Sequence, residues 1–339
     1  MVRVSVAGGA GYLGGELVRL LLGHPMVEIA AVTSSRLAGK KVDTAHPNLR
    51  GVTDLRFTGP GELGEPDVLM LARPHREAMR LMPDLLGQAK QVIDLSGDFR
   101  LRDPATFARY YGVPHAAPGL LGSFVPGLPE LYRDQLQTAD RIAVPGCMAT
   151  AGILALAPLR ALLDGAVDID ARTGSSGSGA AAGDANLHAE RSGAMRVFAP
   201  AGHRHEAEIA QATGLTVRMS ATGVEAVRGV QILARAGLAP GVGEGAIRSA
   251  YRAAFDHEPF IRLVAHRRGI YRYPEPKILL GSNFCDVGFA LDAEAGRITV
   301  IAALDNLVKG GAGNALQCLN VRLGWPERLG LEFPGLHPN

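Results

Sequence analysis

The sequence predicts an α/β protein with two domains, a parallel sheet with helices on both faces followed by a mixed-sheet α+β domain. Three observations support this fold class. The chain has 339 residues, which suggests two domains of about 150 residues each. The first hundred residues alternate short apolar strands with helical patterns, as parallel sheets do. From about Pro145 onward, short strands follow one another with few helices between them, which favours an antiparallel or mixed sheet.

The elements of the first half are set by short apolar runs and one amphipathic pattern. Strands are predicted at residues 2–7, 27–33, 67–72 and 91–95, and a helix at residues 14–22. The second half opens with an apolar helical segment, residues 147–163. A Gly/Ser/Ala tract at residues 173–183 is short enough to favour a ligand loop over a linker. Further strands are predicted at residues 215–220, 229–234, 286–291 and 298–303, and helices at 245–255 and 313–323.

Composition and charge exclude several classes of protein. The net charge of +2 is too small for a protein that binds the nucleic-acid backbone. Three cysteines without a C-x-x-C pair argue against a disulfide scaffold or a cysteine-based zinc site. No apolar stretch approaches the roughly 20 residues that span a bilayer, and the first residues lack a signal-peptide core. We therefore expect a cytoplasmic protein that binds neither nucleic acid nor membrane.

A glycine motif directly follows the first predicted strand and opens the first predicted helix. Its residues are Gly8, Ala10, Gly11, Tyr12, Leu13 and Gly14, in a G-x-x-G-x-x-G spacing. Such a loop makes a tight turn, brings backbone close to a pyrophosphate and aims helix amides at the anion. The motif predicts a Rossmann-type dinucleotide site; the alternative is an ordinary glycine-rich turn.

The end of the second strand indicates which dinucleotide binds. An NAD site would place an acidic residue there for the ribose hydroxyls. This chain instead has Ser34, Ser35 and Arg36, which suit a 2′-phosphate, so we predict NADP(H) as the cofactor. The alternative is a solvated basic loop.

Cys147 is the predicted nucleophile. It follows Pro145 and Gly146 and falls at the first residues of a predicted helix, where the helix dipole and the amides stabilise a thiolate. A buried cysteine acting as a small apolar residue is the usual alternative, and it suits Cys285 and Cys318.

A base for this nucleophile is available in the Gly-His-Arg-His segment that begins at Gly202. His203 and His205 can exchange a proton near neutral pH, and Glu208 lies close by in sequence. Two alternatives remain open at this point, a zinc site made by these three side chains and a solvent-facing basic turn. The histidine and glutamate spacing matches no zinc-protease pattern, so we predict no metal.

Anion-binding groups are predicted in two places. Ser175, Ser176 and Gly177 offer hydroxyls and backbone amides for a phosphate or an oxyanion, unless the tract is only a mobile surface loop. Arg100 is a weaker candidate, because charged side chains in such loops are mostly solvated.

With these motifs in this order, the chain resembles the acyl-phosphate reductases of the N-acetyl-γ-glutamyl-phosphate reductase family. The resemblance covers essentially the whole chain. Its motifs are the glycine loop and the segments at residues 24–25, 46–51, 94–100, 127–131, 145–147, 202–208, 281–283 and 304–310.

The resemblance implies a fold similar to the glyceraldehyde-3-phosphate and aspartate-semialdehyde dehydrogenases. It implies an NADP-binding domain of residues 1–146 completed by about 307–339, and a catalytic and oligomerisation domain of residues 147–306 in a dimer or tetramer. Cys147 would attack the acyl phosphate to form a thioester, and NADPH would reduce the thioester to a semialdehyde. His203 would act as acid/base with His205 and Glu208 nearby, and Asn306 and Lys309 would lie near the nicotinamide.

Departures from the arginine-pathway pattern place the chain nearer the lysine-pathway branch. Met148 and Ala149 follow the cysteine, and the segments at 258–263, 272–276 and 324–338 resemble that branch. It reduces 2-aminoadipate 6-phosphate bound to a small acidic amino-group carrier protein. Basic residues that would face such a carrier are Arg262, His266, Arg267, Arg268 and Arg272, unless they are simply solvated. Reduction of free N-acetylglutamyl phosphate is the nearest alternative, and a non-catalytic NADP-binding regulator is the alternative from another class.

Overall fold

The computed structural model describes the backbone of residues 1–339 and every side chain except that of Ala185. The chain divides into two compact units. The first comprises Met1–Pro145, Gly179–Ala181 and Gly311–Glu332, and the second comprises Gly146–Ser178, Ala182–Gly310 and Phe333–Asn339. Across the residues described, no helix is both long enough and apolar enough to cross a membrane.

The first unit is built on a parallel sheet. Its strands are β1 (Val2–Ala7), β2 (Val27–Thr33), β3 (Phe57–Thr58), β4 (Val68–Leu71), β5 (Gln91–Asp94), β6 (Val125–Pro126) and β7 (Arg141–Ala143). They lie in the order β3-β2-β1-β4-β5-β7-β6, and each pair of neighbours is parallel. The predicted parallel sheet is therefore confirmed, and the two strands predicted at 2–7 and 27–33 have those bounds.

Four helices belong to the N-terminal part of this unit. They are α1 (Tyr12–Leu22), α2 (Ala78–Leu85), α3 (Pro104–Tyr111) and α4 (Pro129–Leu136). The ends of α3 follow from its sequence: the Asp103 carboxylate accepts a hydrogen bond from the Thr106 amide at 2.8 Å, and Gly112 ends the helix at φ +70°. Of the four, only α1 was predicted, because the other three are short and carry weaker apolar patterns.

The second unit is built on a mixed sheet. Its strands are β8 (Leu163–Thr173), β9 (Arg196–Ala199), β10 (Val217–Gly223), β11 (Val230–Leu238), β12 (Ile261–Leu263), β13 (Cys285–Asp292) and β14 (Arg297–Leu304). The order is β12-β13-β14-β11-β8-β10-β9. The β8–β10 and β12–β13 pairs are parallel and the other four are antiparallel. This confirms the predicted mixed sheet.

Three helices of this unit pack against its sheet. They are α5 (Cys147–Leu156), which packs against β11, β13 and β14, α7 (Arg204–Thr213), which packs against β10, and α8 (Glu244–Phe255), which packs against β12. A fourth helix, α6 (His188–Arg191), is short and has no buried residue. Buried Ile169 alternates along β8 with exposed Asp168 and half-buried Asp170, so the opposite face of the sheet carries charged side chains.

The predicted helix at residues 147–163 is wrong over its last seven residues. The α-helix ends at Leu156, one 3₁₀ turn spans Ala157–Leu159, and β8 begins at Leu163. Pro158 explains the break, because proline has no amide hydrogen and clashes with the preceding helical turn. The strand β8 was not predicted, although its alternation of apolar and charged residues carries the period of two.

A last helix, α9 (Gly313–Arg322), returns the chain to the first unit and packs against α1 and α4. Its polar side chains are buried and hydrogen-bonded. Asn314 Nδ2 donates to the Gly127 carbonyl at 2.6 Å, and the Asn320 Oδ1 to His24 Nε2 distance is 3.0 Å. The helix predicted at residues 313–323 is confirmed, and its buried amides explain why it can be enclosed despite its polar sequence.

Candidate active site

Cys147 is the first residue of α5 and follows an extended Gly146, at φ −66° and ψ 152°. It is half-buried, whereas Cys285 and Cys318 are buried. The Thr150 amide closes the first turn of the helix on the Gly146 carbonyl at 2.7 Å. Cys147 thus combines solvent access with the positive end of a helix dipole, the setting that favours a thiolate.

The turn before Cys147 is held by two buried side chains of α7. The Glu208 carboxylate accepts a hydrogen bond from the Gly146 amide at 2.8 Å, and its other oxygen lies 3.9 Å from His205 Nε2. A Cβ on Gly146 would collide with the His205 ring. Glycine is therefore required at 146 by close approach, a reason that the sequence did not reveal. This geometry makes Glu208 and His205 positioning residues for the turn that carries Cys147.

His203 caps α7 and is held in one tautomer. Its Nδ1 accepts a hydrogen bond from the His205 amide at 3.2 Å, so a neutral ring carries its proton on Nε2. Burial, with a smaller contribution from the Arg204 guanidinium, lowers the pKa of His203 to about 4. At neutral pH His203 is therefore an uncharged imidazole that presents Nε2–H as a donor.

The serine tract forms a 3₁₀ turn over Ser175–Ser178, and its amides are already engaged. Those of Ser175 and Ser176 donate to the carbonyls of Ala226 and Val227, both at 2.9 Å, and that of Gly177 donates to Gly174 at 3.2 Å. The expectation that these backbone amides are available to an anion is wrong, because neighbouring carbonyls occupy them. The hydroxyl groups of this turn are what it offers.

Asn306 ties this turn to a second loop. Its Nδ2 donates to Ser176 Oγ at 2.9 Å and its Oδ1 accepts from the Gly229 amide at 2.7 Å. The neighbouring Asp305 is fully buried, pairs with Arg228 at 3.0 Å and accepts from the Gly281 amide at 2.7 Å. Sequence reasoning missed Asp305 and Arg228 as partners, although Asp305 lies inside a motif that it singled out.

Lys309 and Gly310 lie in a π-helical turn over Val308–Ala312. Lys309 is fully buried, with Nζ 6.0 Å from the centre of the Phe260 ring. A Cβ on Gly310 would lie 2.5 Å from Cys147 Cβ. The backbone of this turn thus packs directly against the side chain of Cys147, the predicted nucleophile.

In the first unit, the glycine loop has the geometry of a phosphate cradle. Gly8 adopts φ +87°, where an added Cβ would lie 2.6 Å from the Ala72 carbonyl oxygen. An added Cβ on Gly14 would lie 2.5 Å from the Gly8 carbonyl oxygen, and α1 begins at Tyr12. The backbone at these positions is close enough to neighbouring backbone that only glycine fits. This loop, residues 8–14, is therefore chemically suited to the pyrophosphate of a dinucleotide, since it leads into the N-terminus of α1.

At the end of β2, Ser34 is buried and its hydroxyl accepts from the Leu37 amide at 3.2 Å. Ser35 and Arg36 are exposed. Arg100 lies elsewhere in this unit, where Nε donates to the Val144 carbonyl at 2.8 Å and Nη2 to the Leu95 carbonyl at 2.9 Å. Arg100 therefore fixes the backbone of Val144, three residues before Cys147 in the chain.

The loop after β4 is a feature that sequence reasoning missed. Arg76 adopts φ +72°, which is rare for a residue with a side chain. The buried Asp98 carboxylate holds this conformation by accepting from the Arg76 amide at 2.7 Å and from the Met79 amide at 2.9 Å. Strain held in place next to the carboxyl end of a central strand is typical of a ligand loop. The signal in the sequence was Pro74 and His75 directly after a buried strand.

Comparison with known proteins places these two units in one family. Residues 3–139 match the family described as semialdehyde dehydrogenase, NAD binding domain, and residues 147–306 match semialdehyde dehydrogenase, dimerisation domain. A protein named putative [LysW]-L-2-aminoadipate 6-phosphate reductase from Thermomicrobium roseum is 51% identical over 352 residues, covering 100% of this chain and 99% of that protein. The [LysW]-L-2-aminoadipate 6-phosphate reductase of Deinococcus radiodurans is 48% identical over 342 residues, covering 99% and 98%.

Among solved structures, aspartate semialdehyde dehydrogenase II from Vibrio cholerae has a similar fold. The TM-score is 0.70 at 15% identity, covering 96% of this chain and 98% of that one. This likeness supports the predicted similarity to the aspartate-semialdehyde dehydrogenase fold.

Proposed function

The chain belongs to the semialdehyde dehydrogenase family of oxidoreductases, and we propose that it is a cytoplasmic enzyme that uses NADPH to reduce the acyl phosphate of carrier-protein-bound 2-aminoadipate. The observation that carries the proposal is Cys147 itself. It is a half-buried thiol at a helix start, on a turn that Glu208 and His205 hold in place. The names of relatives at 51% and 48% identity support the substrate.

In the first step, the Cys147 thiolate attacks the acyl carbon, the bond from that carbon to the phosphate oxygen breaks, and phosphate leaves. Nothing is oxidised or reduced in this step. The structure supports it by fixing the sulfur, since the Gly146 amide is held by Glu208 and the Cys147 Cβ is packed against Gly310. A fixed nucleophile contributes by proximity and orientation.

In the second step, His203 stabilises the carbonyl oxygen of the thioester. A nicotinamide, when bound, would supply the hydride to the acyl carbon; the bond from that carbon to the Cys147 sulfur then breaks, which releases the semialdehyde and returns the thiolate. His203 is suited to the oxygen because its neutral ring presents Nε2–H as a donor, with Nδ1 occupied by the His205 amide. A hydrogen-bond donor aimed at developing negative charge lowers the barrier. We therefore assign to His203 the role of hydrogen-bond donor to this oxygen and to His205 a positioning role.

We propose NADPH rather than NADH from the end of β2. Residues 33–36 are Thr, Ser, Ser and Arg, with no carboxylate to bind a ribose 2′-hydroxyl. Ser35 and Arg36 are exposed, which leaves a hydroxyl and a cation for a 2′-phosphate. Gly8, Gly11 and Gly14 supply the pyrophosphate loop.

We propose that the acidic carrier docks on an exposed basic loop, residues 266–272. Its three arginines, Arg267, Arg268 and Arg272, are exposed, as is Ile270 at 88% of its surface. Arg262 is not part of this docking surface, because its guanidinium already pairs with buried Asp286 at 2.6 Å and stacks on the Phe284 ring. Opposite charges across an interface speed and orient association.

We propose a homo-oligomer that uses the face of the mixed sheet opposite α5. This face carries half-buried Leu233 beside Ile301 on the neighbouring strand, bordered by acidic Asp168 and basic Arg235, which lie opposite each other in register. A two-fold axis through such a face would pair acid with base and apolar with apolar. The match of residues 147–306 to a dimerisation domain supports a homo-oligomer formed through this unit.

The reductase proposal is tested by competition between carrier-bound 2-aminoadipate 6-phosphate and free N-acetylglutamyl phosphate, each generated in situ by its kinase. We expect the carrier-bound substrate to be consumed first, with oxidation of NADPH. Turnover of the free substrate alone would replace the proposal by the arginine-pathway reaction.

The same assay tests the nucleophile. Cys147→Ser is expected to lower kcat by about 10³-fold or more, because a hydroxyl is not ionised at neutral pH. Cys318→Ser, which changes a buried thiol of α9, is the matched control and should keep its kcat. Reductase activity that is unchanged in Cys147→Ser would refute Cys147 as the nucleophile, whereas absence of activity from the wild type as well would favour a non-catalytic NADP-binding protein.

A further inference from the structure

Asp305 lies just before the π-helical turn that packs on Cys147, and its carboxylate accepts hydrogen bonds from the two amides where that turn begins. The Leu307 and Val308 amides donate to Oδ1 at 2.8 and 3.3 Å. The Asp305 carbonyl also accepts from the Gly310 amide at 2.9 Å, in the i→i+5 pattern of a π-turn. One residue thus fixes the course of the turn through both its side chain and its backbone.

The same carboxylate joins this turn to two other loops of the unit. Its Oδ2 accepts from the Gly281 amide at 2.7 Å, in the loop before β13. Arg228, in the loop between β10 and β11, donates to it from Nε and Nη2, with N–O distances of 3.0 and 3.1 Å. N–H groups from three segments therefore converge on one fully buried carboxylate.

The turn that Asp305 fixes lies directly behind Cys147. A Cβ on Gly310 would lie 2.5 Å from Cys147 Cβ and 3.0 Å from its Cα, so the cysteine has no room to shift towards this backbone. On the side of α7, the preceding Gly146 amide donates to Glu208 at 2.8 Å. Cys147 is thus held in two directions, by α7 and by the π-helical turn.

The charge of Asp305 indicates more than a need for stability. Taking a carboxylate and a guanidinium out of water offsets much of their attraction, and apolar residues of similar volume often stabilise a protein as well or better. Such a pair does define geometry, because the guanidinium fork fixes both carboxylate oxygens at once. The pair of Asp305 and Arg228 is therefore suited to hold the turn in one defined position.

We propose that Asp305 is a positioning residue for Cys147, which sets the place of the sulfur through the π-helical turn while Arg228 fixes the carboxylate. The inference rests on the proposed function, since it takes Cys147 as the nucleophile. It assigns the side of Cys147 that faces Gly310 to Asp305, as Glu208 and His205 are assigned the turn before the cysteine.

Asp305→Asn tests the proposal, because asparagine keeps the shape but turns one acceptor oxygen into a donor that faces other donors. At a temperature where the variant is fully folded, we expect kcat to fall about 10- to 100-fold, since a displaced nucleophile loses its orientation. The KM for NADPH should stay within about twofold of wild type, because the glycine loop and the end of β2 are unchanged. The alkylation rate of Cys147 by iodoacetamide should rise about threefold or more, because a loosened turn uncovers the thiol.

Asp286→Asn is the matched control. Asp286 is also a buried carboxylate of this unit, and it pairs through both oxygens with Arg262, at 2.6 and 3.1 Å. Its loss should lower the Tm but leave kcat and the alkylation rate within about twofold of wild type. If Asp305→Asn does not fold, Arg228→Lys is used instead; it keeps the charge without the fork and should lower kcat about 3- to 10-fold.

The outcomes separate the two proposals. A kcat within threefold of wild type in folded Asp305→Asn, or an equal fall in Asp286→Asn, would overturn the positioning role. Alkylation of Asp305→Asn at the wild-type rate would overturn it too, as would a wild-type kcat in Arg228→Lys where that variant is needed. A wild-type protein without reductase activity would refute the proposed function, while the alkylation rates would still test whether Asp305 positions Cys147.

Discussion

Replacing Gly310 by alanine tests how the π-helical turn supports the nucleophile. The new methyl carbon would lie 2.5 Å from Cys147 Cβ and 3.0 Å from its Cα. Carbon atoms in contact prefer about 3.5–4.0 Å, so the overlap is about 1 Å or more. Because one contact is the backbone of Cys147, a side-chain rotation cannot relieve it, and the start of α5 has to move.

The size of the effect follows from that movement. A displacement of about 1 Å at a reacting group costs about 10²-fold in rate, so Gly310→Ala should lower kcat/KM by about that factor. Forcing a methyl group into a filled core costs about 1–3 kcal/mol of the free energy of unfolding. The variant should therefore remain folded but be a poor enzyme.

Steady-state kinetics measure the rate, and the alkylation rate of Cys147 by iodoacetamide, followed on its peptide, reports the position of the thiol without turnover. Gly245→Ala in α8 is the matched control, since a Cβ there meets nothing within 4 Å. It should keep full activity and gain about 0.4–1 kcal/mol. If Gly310→Ala kept kcat/KM within threefold and reacted with iodoacetamide at the wild-type rate, the close packing of this turn on Cys147 would be wrong.

Three further predictions concern titrating groups and the cofactor. Burial raises the pKa of Asp94 from 3.8 to about 6, so the folded state holds a proton that the unfolded chain releases, and stability falls as pH rises from about 4 to 6. Urea unfolding should show Asp94→Asn gaining up to about 3 kcal/mol over wild type across that range, and a constant difference would contradict the argument. His203, whose pKa is lowered to about 4, has the opposite effect, because here the unfolded chain binds the extra proton and wild-type stability falls as the pH falls from 6.5 to 4. In the same urea titration, His203→Gln should remove up to about 3 kcal/mol of this loss of stability. Arg36→Ala should raise the KM for NADPH about tenfold and leave the KM for NADH unchanged, and an equal rise for both would refute a contact with the 2′-phosphate.

The buried strands of the first unit were the part of the fold most readily predicted from sequence. In a parallel sheet a central strand is enclosed on both faces, so β1 and β2 are mostly apolar, interrupted only by Arg3, Ser5 and Glu28 before their last residues, and their predicted ends coincide with their structural bounds. The two-residue strands β3 and β6 are too short to leave a periodic pattern. They exist because neighbouring strands supply their hydrogen bonds, which is tertiary information.

The candidate site likewise contains residues that local sequence features predict and contacts that only the folded structure reveals. Cys147 and the Gly-His-Arg-His segment could be found from sequence because local features, a helix start and a histidine pair, mark them. The hydrogen bond from Asn306 to Ser176 joins residues 130 positions apart, and no local pattern encodes it. Likewise, the Ser176 amide donates to the carbonyl of Val227, which lies about 50 residues further along the chain, so its engagement could not be predicted from the local sequence.

The return of α9 to the first unit has a consequence for the order in which the protein is made. A ribosome must synthesise residues 146–310 after the N-terminal sheet and before the helix that packs on α1 and α4, which takes roughly 10 to 30 seconds. During that interval His24 and the Gly127 carbonyl lack the amide partners that Asn320 and Asn314 later provide. The nascent first unit therefore carries an open, partly polar groove until α9 has been synthesised. Its folding is completed by a segment made after the whole second sheet, so a truncation that removes α9 disables the first unit although residues 1–145 are intact.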